Sequence, residues 1–338
     1  MKLLVIKISS MGDIIHSLPA LTDAKAALPE LEIDWVVEEG FADIPKAHPA
    51  INKIIVIAMR RWRKNPLKYL FSKEVRHFYK SLRQTNYDIV LDAQGLPKTV
   101  ILAWLAKGKE KHGLHRKDSR GHFDLGYTHK HRVNFNQHAV ARVRELFAAS
   151  LNYNLPTTEP NYGLTASETK STKKPYLLFI HGTTWTSKEW PEPYWQQLAQ
   201  LAVATGFDVK LPAGNANERA RAERIASGSS TITVLPPCSL KDLITIAAGA
   251  DGAVALDTGL AHLVTALNQP CVSIFGASDA KLNGTYGPKQ LALSAKYPCS
   301  PCLKRQCIYT AQQHPPCYQT LPPKLIWRKL SELLAAGT

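Results

Sequence analysis

The sequence predicts an α/β protein built from two doubly wound domains. Three observations carry that prediction. Short apolar runs alternate with stretches of helical length, the alternation stops at a polar segment near mid-chain, and it restarts beyond that segment. Apolar runs of four to eight residues read as buried strands, and their alternation with helices reads as a parallel sheet covered on both faces. At 338 residues the chain is also long for a single core.

The elements follow in order. LLVIKI (Leu3–Ile8) is the first strand, and Ile14–Leu28 reads as the first helix. IDWVVEE (Ile33–Glu39) and KIIVIA (Lys53–Ala58) are further strands, a basic amphipathic stretch follows, and YDIVLDAQG (Tyr87–Gly95) is a strand with a polar exit. Gln137–Leu151 reads as a helix closing this half. PTTEPNYGLTASETKSTKKP (Pro156–Pro175) is rich in Thr, Ser, Pro and Lys without apolar periodicity, so it reads as a linker. Beyond it, YLLFIHG, FDVKLPAG, ITVLP, GAVALDTG and CVSIFGASD are strand-to-loop units, with helices such as Pro193–Thr205 and Glu218–Ala226 between them. The predicted division is therefore residues 1–160, a linker 161–175, a second domain 176–322, and a C-terminal helix over 323–338.

Composition bounds the partners. The apolar stretch VILAWLA (Val100–Ala106) is far short of the ~20 residues of a spanning helix. The N-terminal run is interrupted by Lys7 and followed by Asp13, unlike a secretory h-region. A cytoplasmic protein is expected, and six cysteines fit that compartment as thiols or metal ligands better than as a disulfide framework. The net charge is +15, and two segments supply most of it. Arg60–Arg83 holds nine basic residues and one acid, and Lys107–Arg132 holds eight basic residues and three acids. Two such runs in one half imply an anionic partner: nucleic acid, a membrane surface or a phosphorylated substrate.

Ligands of open α/β sheets bind outside the carboxyl ends of the strands, so the polar residues there matter most. Asp13 has two readings. After Gly12 at a helix start it is an ordinary N-cap, and the same rigid turn also suits a base that takes a proton from an attacking hydroxyl. HGTTWTSKEWPEPYW (His181–Trp195) offers hydroxyls and free backbone N–H groups to phosphate oxygens, with Lys188 to neutralise a diphosphate. DTGLAH (Asp257–His262) repeats the pattern, Gly259 permitting close backbone approach and His262 lying one turn into the helix. Two anion-friendly turns in one domain favour a nucleotide diphosphate, while no GxGxxG or Walker motif is present. Cys299, Cys302, Cys307 and Cys317 are spaced C-x2-C-x4-C-x9-C, which includes one CxxC but lacks the second CxxC or HxxxH of a zinc module. Reduced thiols are expected there, with structural zinc as the lesser alternative.

The segments SSMGDIIHSLPAL, DWVVEEGF, RRWRK, YDIVLDAQGL, QHAVARVRELFA, KEWPEPYW and DTGLAHL, in this order and spacing, resemble the lipopolysaccharide core heptosyltransferases of glycosyltransferase family 9. The resemblance covers most of the chain. It implies a GT-B fold, two Rossmann-like domains facing across a central cleft, with the C-terminal helix packing back on the first. It implies ADP-heptose as donor and Kdo2-lipid A as acceptor, the heptose joining the inner Kdo with inversion. No metal or other cofactor is expected. On the matching positions, Asp13 corresponds to the proposed base. Thr183, Thr184, Lys188, Glu218, Asp257, Thr258, Gly259, Leu260 and His262 correspond to the donor wall. Ser10, Gly12, Arg60, Arg61, Arg63, Lys64 and Arg120 correspond to the acceptor region. The anions of Kdo and lipid A then account for the basic segments, and the enzyme is expected at the cytoplasmic face of the inner membrane, with Trp62 a candidate for the interface.

Two departures qualify the match. The cysteine-rich insert is closer to the heptosyltransferases that add the second heptose, the alternative reading, and Lys111–Arg132 is unusually rich in histidine. A nucleic-acid-binding protein would show binding that falls steeply with salt, and a non-catalytic sugar-nucleotide binder would tolerate loss of Asp13. No nucleic-acid partner is expected, because aromatic single-strand platforms are missing.

Overall fold

In the computed structural model, residues 1–119, 121–164, 174–309 and 314–336 are described. The chain divides into two compact units, Met1–Leu164 and Thr165–Thr338.

The first unit holds β1 (Lys2–Ile6), β2 (Glu32–Glu38), β3 (Ile51–Ile57), β4 (Tyr87–Asp92), β5 (Gly108–Leu114) and β6 (His129–His131). They form one parallel sheet in the order β3-β2-β1-β4-β5-β6. Leu3, Leu4, Val5 and Ile6 are all fully buried, as a central strand between helix layers requires. The predicted helix Ile14–Leu28 is two helices, Met11–Ile15 and Leu18–Ala27. Pro19 explains the break, since its ring displaces the carbonyl four residues back and it has no N–H to donate. β5 and β6 fall within the basic segment read only as charge. Their sequences, GKEKHGL and HKH, carry no apolar signal.

The second unit repeats the arrangement with β7 (Tyr176–Ile180), β8 (Asp208–Leu211), β9 (Ile232–Val234), β10 (Gly252–Leu256), β11 (Cys271–Phe275) and β12 (Gln290–Ser294). Their order is β12-β11-β10-β7-β8-β9, again all parallel. Numbered from each unit's first strand, both sheets read 3-2-1-4-5-6, the doubly wound order whose switch point lies between strands 1 and 4. Trp190 and Trp195 of the KEWPEPYW stretch are fully buried and meet edge to face at 5.0 Å, and the Trp190 indole N–H donates to the Leu321 carbonyl at 3.0 Å. That stretch is therefore mostly core. The C-terminal helix Pro323–Ala336 buries Ile326 and Leu330 in this same core, beside β10 and β11 and the helix Glu192–Ala204. Its apolar face completes the second unit's core.

Candidate functional site

In the first unit the switch point lies between β1 and β4, and their exits are tied together. Gln94 Oε1 accepts hydrogen bonds from the backbone N–H of Ile8 (2.9 Å) and Ser9 (3.4 Å). The loop of Gln94 is held in turn by buried Asp92, which accepts from the N–H groups of Gln94 and Gly95 and from the Tyr127 hydroxyl at 2.6 Å. Burial pushes the Asp92 carboxyl above its usual range, and these hydrogen bonds oppose that shift.

Asp13 stands just after this crossing. The cap of helix Met11–Ile15 is Ser10, and Asp13 is the third helical residue. The N-cap reading of Asp13 is thereby corrected to the acidic partner of a capping box, because Asp13 Oδ2 accepts from both the N–H (3.0 Å) and the hydroxyl (2.8 Å) of Ser10. The carboxylate lines a cavity of about 270 Å³ together with Lys7, Ser9, His16, Gln94 and Arg142. Buried Lys7 donates to the Ala93 carbonyl at 2.7 Å, and Arg142 lies 4.4 Å over the Phe135 ring. Sequence reasoning singled out neither cation; both become visible only when β1 and the helix Ala139–Leu151 come together.

The basic residues after β3 divide by role. The helix Met59–Lys64 carries Arg60, Arg61, Arg63 and Lys64. Arg61 is spent within the protein: its guanidinium pairs with Glu74 at 2.5 Å and Glu39 at 2.9 Å and donates to Tyr69. Those hydrogen bonds raise its pKa further above the ordinary arginine value. Arg60 lies over the Phe41 ring, and Arg63 and Lys64 are exposed. Arg60 and Arg63 also stand close to Lys98, a residue sequence reasoning missed because it follows the strand exit inside an apolar helix. Burial lowers the Lys98 pKa first, and Arg60 and Arg63 add to that, while Glu38 opposes it. Lys98, Arg60 and Arg63 thus form a basic group with Glu38 as its acid. Trp62 packs edge to face on Phe78 at 5.7 Å and is partly buried against the first unit's core. Arg120 lies outside the described residues.

In the second unit the corresponding exits are those of β7 and β10. Lys188 and Asp257 meet there at 2.5 Å, both largely buried, and the Ser278 hydroxyl donates to the same Asp257 oxygen at 2.6 Å. Lys188 also lies 4.2 Å over the Trp185 ring. The Thr183 hydroxyl reaches the Asp257 carbonyl at 3.5 Å, which brings the two loops side by side, and Thr184 is exposed. Thr258 is the N-cap of helix Gly259–Ala266, so Gly259 and Leu260 begin that helix with their N–H groups at its free end. His262 is buried, 5% exposed. Glu218 completes the group. Its carboxylate accepts from the Gly214 N–H at 2.7 Å and fills the space in which a Cβ on Gly182 would stand, 2.7 Å from the carboxyl carbon. Gly182 thus lets the β7 exit approach Glu218. His181, which follows the strand, is fully buried, and burial lowers its pKa to about 4.

The four clustered cysteines are free thiols lining one small cavity with Ser187, Gly276 and Ala277. Burial and the neighbouring cysteines push the Cys317 thiol up to about 11. Among the described residues, the grouping of donor atoms close enough to hold a metal ion lies elsewhere, at Glu110, His112 and His129.

The family model for glycosyltransferase family 9 (heptosyltransferase) matches residues 75–312. The lipopolysaccharide heptosyltransferase 1 of Pseudomonas aeruginosa is 43% identical over an alignment of 353 positions that covers 99% of both chains. The structure of E. coli heptosyltransferase WaaC with ADP-2-deoxy-2-fluoro heptose superposes with a TM-score of 0.84 at 38% identity, covering 98% of this chain and 99% of that one. The lipopolysaccharide heptosyltransferase 2 of Salmonella typhimurium is more distant, 23% identical over 82% of this chain and 83% of its own.

Proposed function

Because the chain belongs to glycosyltransferase family 9, the heptosyltransferases, and transfers heptose in lipopolysaccharide inner-core assembly as type 1 enzymes do, we propose the acceptor, the residues and the course of that transfer. The donor is ADP-heptose and the acceptor is the inner Kdo of Kdo2-lipid A. The observation that carries the reading is the carboxylate of Asp13, anchored by Ser10 at the β1 exit and facing a cavity lined with cations. Asp13 takes the proton of the Kdo hydroxyl as its oxygen bonds to the anomeric carbon. The bond from that carbon to the diphosphate breaks, ADP leaves with the electron pair, and the configuration inverts. No metal is needed in this step. Lys188 and the N–H groups opening helix Gly259–Ala266 stabilise the departing diphosphate. Thr183, Thr184, Asp257, Thr258 and Leu260 complete the donor wall, with Glu218 available to a ribose hydroxyl. Ser10, Gly12, Arg60, Arg63, Lys64 and Lys98 meet the acceptor, whereas Arg61 serves by fixing the helix that carries its neighbours.

The test is a mass-shift transfer assay with ADP-heptose and Kdo2-lipid A. Product with this acceptor, and none with an acceptor already bearing the first heptose, supports the reading; the reverse pattern makes the chain a type 2 enzyme. In the same assay Lys188→Met is expected to lower kcat about 100-fold, the scale of losing one donor to a developing negative charge. Lys188→Arg should recover part of that loss. An unchanged kcat in Lys188→Met would remove Lys188 from the leaving-group site.

Among the described residues no helix is long and apolar enough to cross a membrane. We propose instead that the segment after Lys64 lies on the anionic membrane surface that presents the acceptor. Leu67 is 90% exposed, Phe71 77% and Leu70 63%, and Lys64, Lys68, Lys73 and Arg76 surround them. Apolar side chains held outward beside cations match an acyl boundary beneath anionic headgroups. Leu67→Ser with Phe71→Ser should reduce sedimentation with anionic vesicles about tenfold and leave transfer to a soluble acceptor intact. Equal sedimentation of variant and parent would refute this surface.

A further inference from the structure

The histidines of Lys111–Arg132 do not enter the proposed transfer, yet the fold gathers three of them. β5 and β6 are parallel neighbours, and His112 is the register partner of His129. Their imidazoles stack at 4.4 Å with 28° between the planes. Glu110 lies two residues before His112, on the same face of β5, and its Oε2 is 3.0 Å from His112 Nε2 and 4.0 Å from His129 Nδ1. His131 Nε2 stands 3.0 Å from His112 Nδ1.

We propose that Glu110, His112 and His129 bind one divalent transition-metal ion of the zinc class, with His131 as the residue that orients His112. The three donor atoms all lie within 4.8 Å of one another. Bonds of ~2.0–2.1 Å to nitrogen and oxygen separate such atoms by roughly 3–4 Å, so the site closes on an ion with small side-chain rotations. Two imidazoles and a carboxylate suit zinc and its neighbours rather than calcium or magnesium. A metal-bound histidine usually has its other nitrogen fixed by a hydrogen bond, and His131 supplies that partner to His112. The Thr128 hydroxyl, now 3.0 Å from His129 Nδ1, is the contact the ion would displace. His112 is buried while Glu110 and His129 are exposed, so the remaining coordination positions open to water. No step of the proposed transfer passes through the ion. Its effect is to fasten the three-residue strand β6 to β5, the two strands that lead to Val133 and Leu114 in the wall of the Asp13 cavity.

The experiment is a titration of the full-length, metal-stripped protein with Co²⁺, followed by its visible d–d absorption. One equivalent is expected, without the near-ultraviolet charge-transfer bands of thiolate ligation. His129→Gln and Glu110→Gln, both at exposed positions and checked for folding by circular dichroism, should each weaken binding at least tenfold. His131→Asn should weaken it about 10- to 100-fold without changing the stoichiometry. Absence of binding overturns the proposal. So does unchanged affinity in folded His129→Gln, or a spectrum with thiolate bands that disappears in Cys302→Ser, which would place the metal at the cysteines.

Discussion

Asp13→Asn is expected to lower kcat by about 10²- to 10⁴-fold, the range of a lost general base, while the KM for ADP-heptose stays within about threefold. The asymmetry follows from the division of labour. Asp13 and its cavity belong to the first unit, and the proposed donor wall belongs to the second. The substitution keeps an oxygen that can accept from Ser10 N–H and Oγ, so the capping box is largely preserved. A cap lost outright costs about 1 kcal/mol, which would lower the melting temperature of the first unit without silencing a folded enzyme. Ser10→Ala separates the two contributions, since it removes one hydrogen bond to the carboxylate and leaves the carboxylate itself. An intermediate loss in Ser10→Ala and near-silence in Asp13→Asn mark the carboxylate as the base. Equal, small losses in both variants would reduce Asp13 to a helix-start residue.

The second large effect is on stability. Arg144 and Asp23 form a buried pair at 2.6 Å, each side chain about one-tenth exposed, between helices Ala139–Leu151 and Leu18–Ala27. The same guanidinium donates to the carbonyls of Pro156 and Thr158, holding the chain that leaves the first unit. Arg144→Ala strands a buried carboxylate, for which a loss of about 3–5 kcal/mol is expected. In a unit of this size that is a fall of roughly 6–20 °C in the first unit's calorimetric transition, with the second unit's transition unmoved. The double variant Asp23→Leu with Arg144→Met should regain part of the loss but not all, because the two carbonyls stay unpaired. A shift under about 2 °C in Arg144→Ala would show that water reaches Asp23 and that the pair is ornamental to stability.

Much of this architecture was legible in the sequence because central strands of a parallel sheet are apolar on both faces. LLVI, GAVAL and CVSIF could hardly be anything else. The outlying strands β5 and β6 were not legible, since they trade apolar residues for lysine and histidine and take their conformation from the neighbour they pair with. The site divides in the same way. Asp13, Lys188 and Asp257 follow strand exits closely, where position nominates them, whereas Glu218, inside helix Ala216–Ala226, was named only by the family resemblance. Lys7, Arg142 and Lys98 gain their place from tertiary packing, which periodicity does not encode. Arg61 shows the opposite failure: it reads as one more cation of a basic run, yet Glu39 and Glu74, separated from it by 22 and 13 residues, claim it.

The order of strands also sets the timetable of the protein's synthesis. β1 is made first, but its partner β4 lies 86 residues further on, Leu3 pairing with Ile89. At about 5–20 residues per second, translation leaves one side of β1 without its neighbour for roughly 4–17 s. During that interval Leu3, Leu4, Val5 and Ile6 carry open backbone groups along the edge that β4 later covers. The second unit repeats the wait, with Leu178 pairing with Ala253. A nascent chain of this enzyme thus offers a sticky edge twice over, and a holdase chaperone at the ribosome would find its targets at the two strands that later form the floor of each binding crevice.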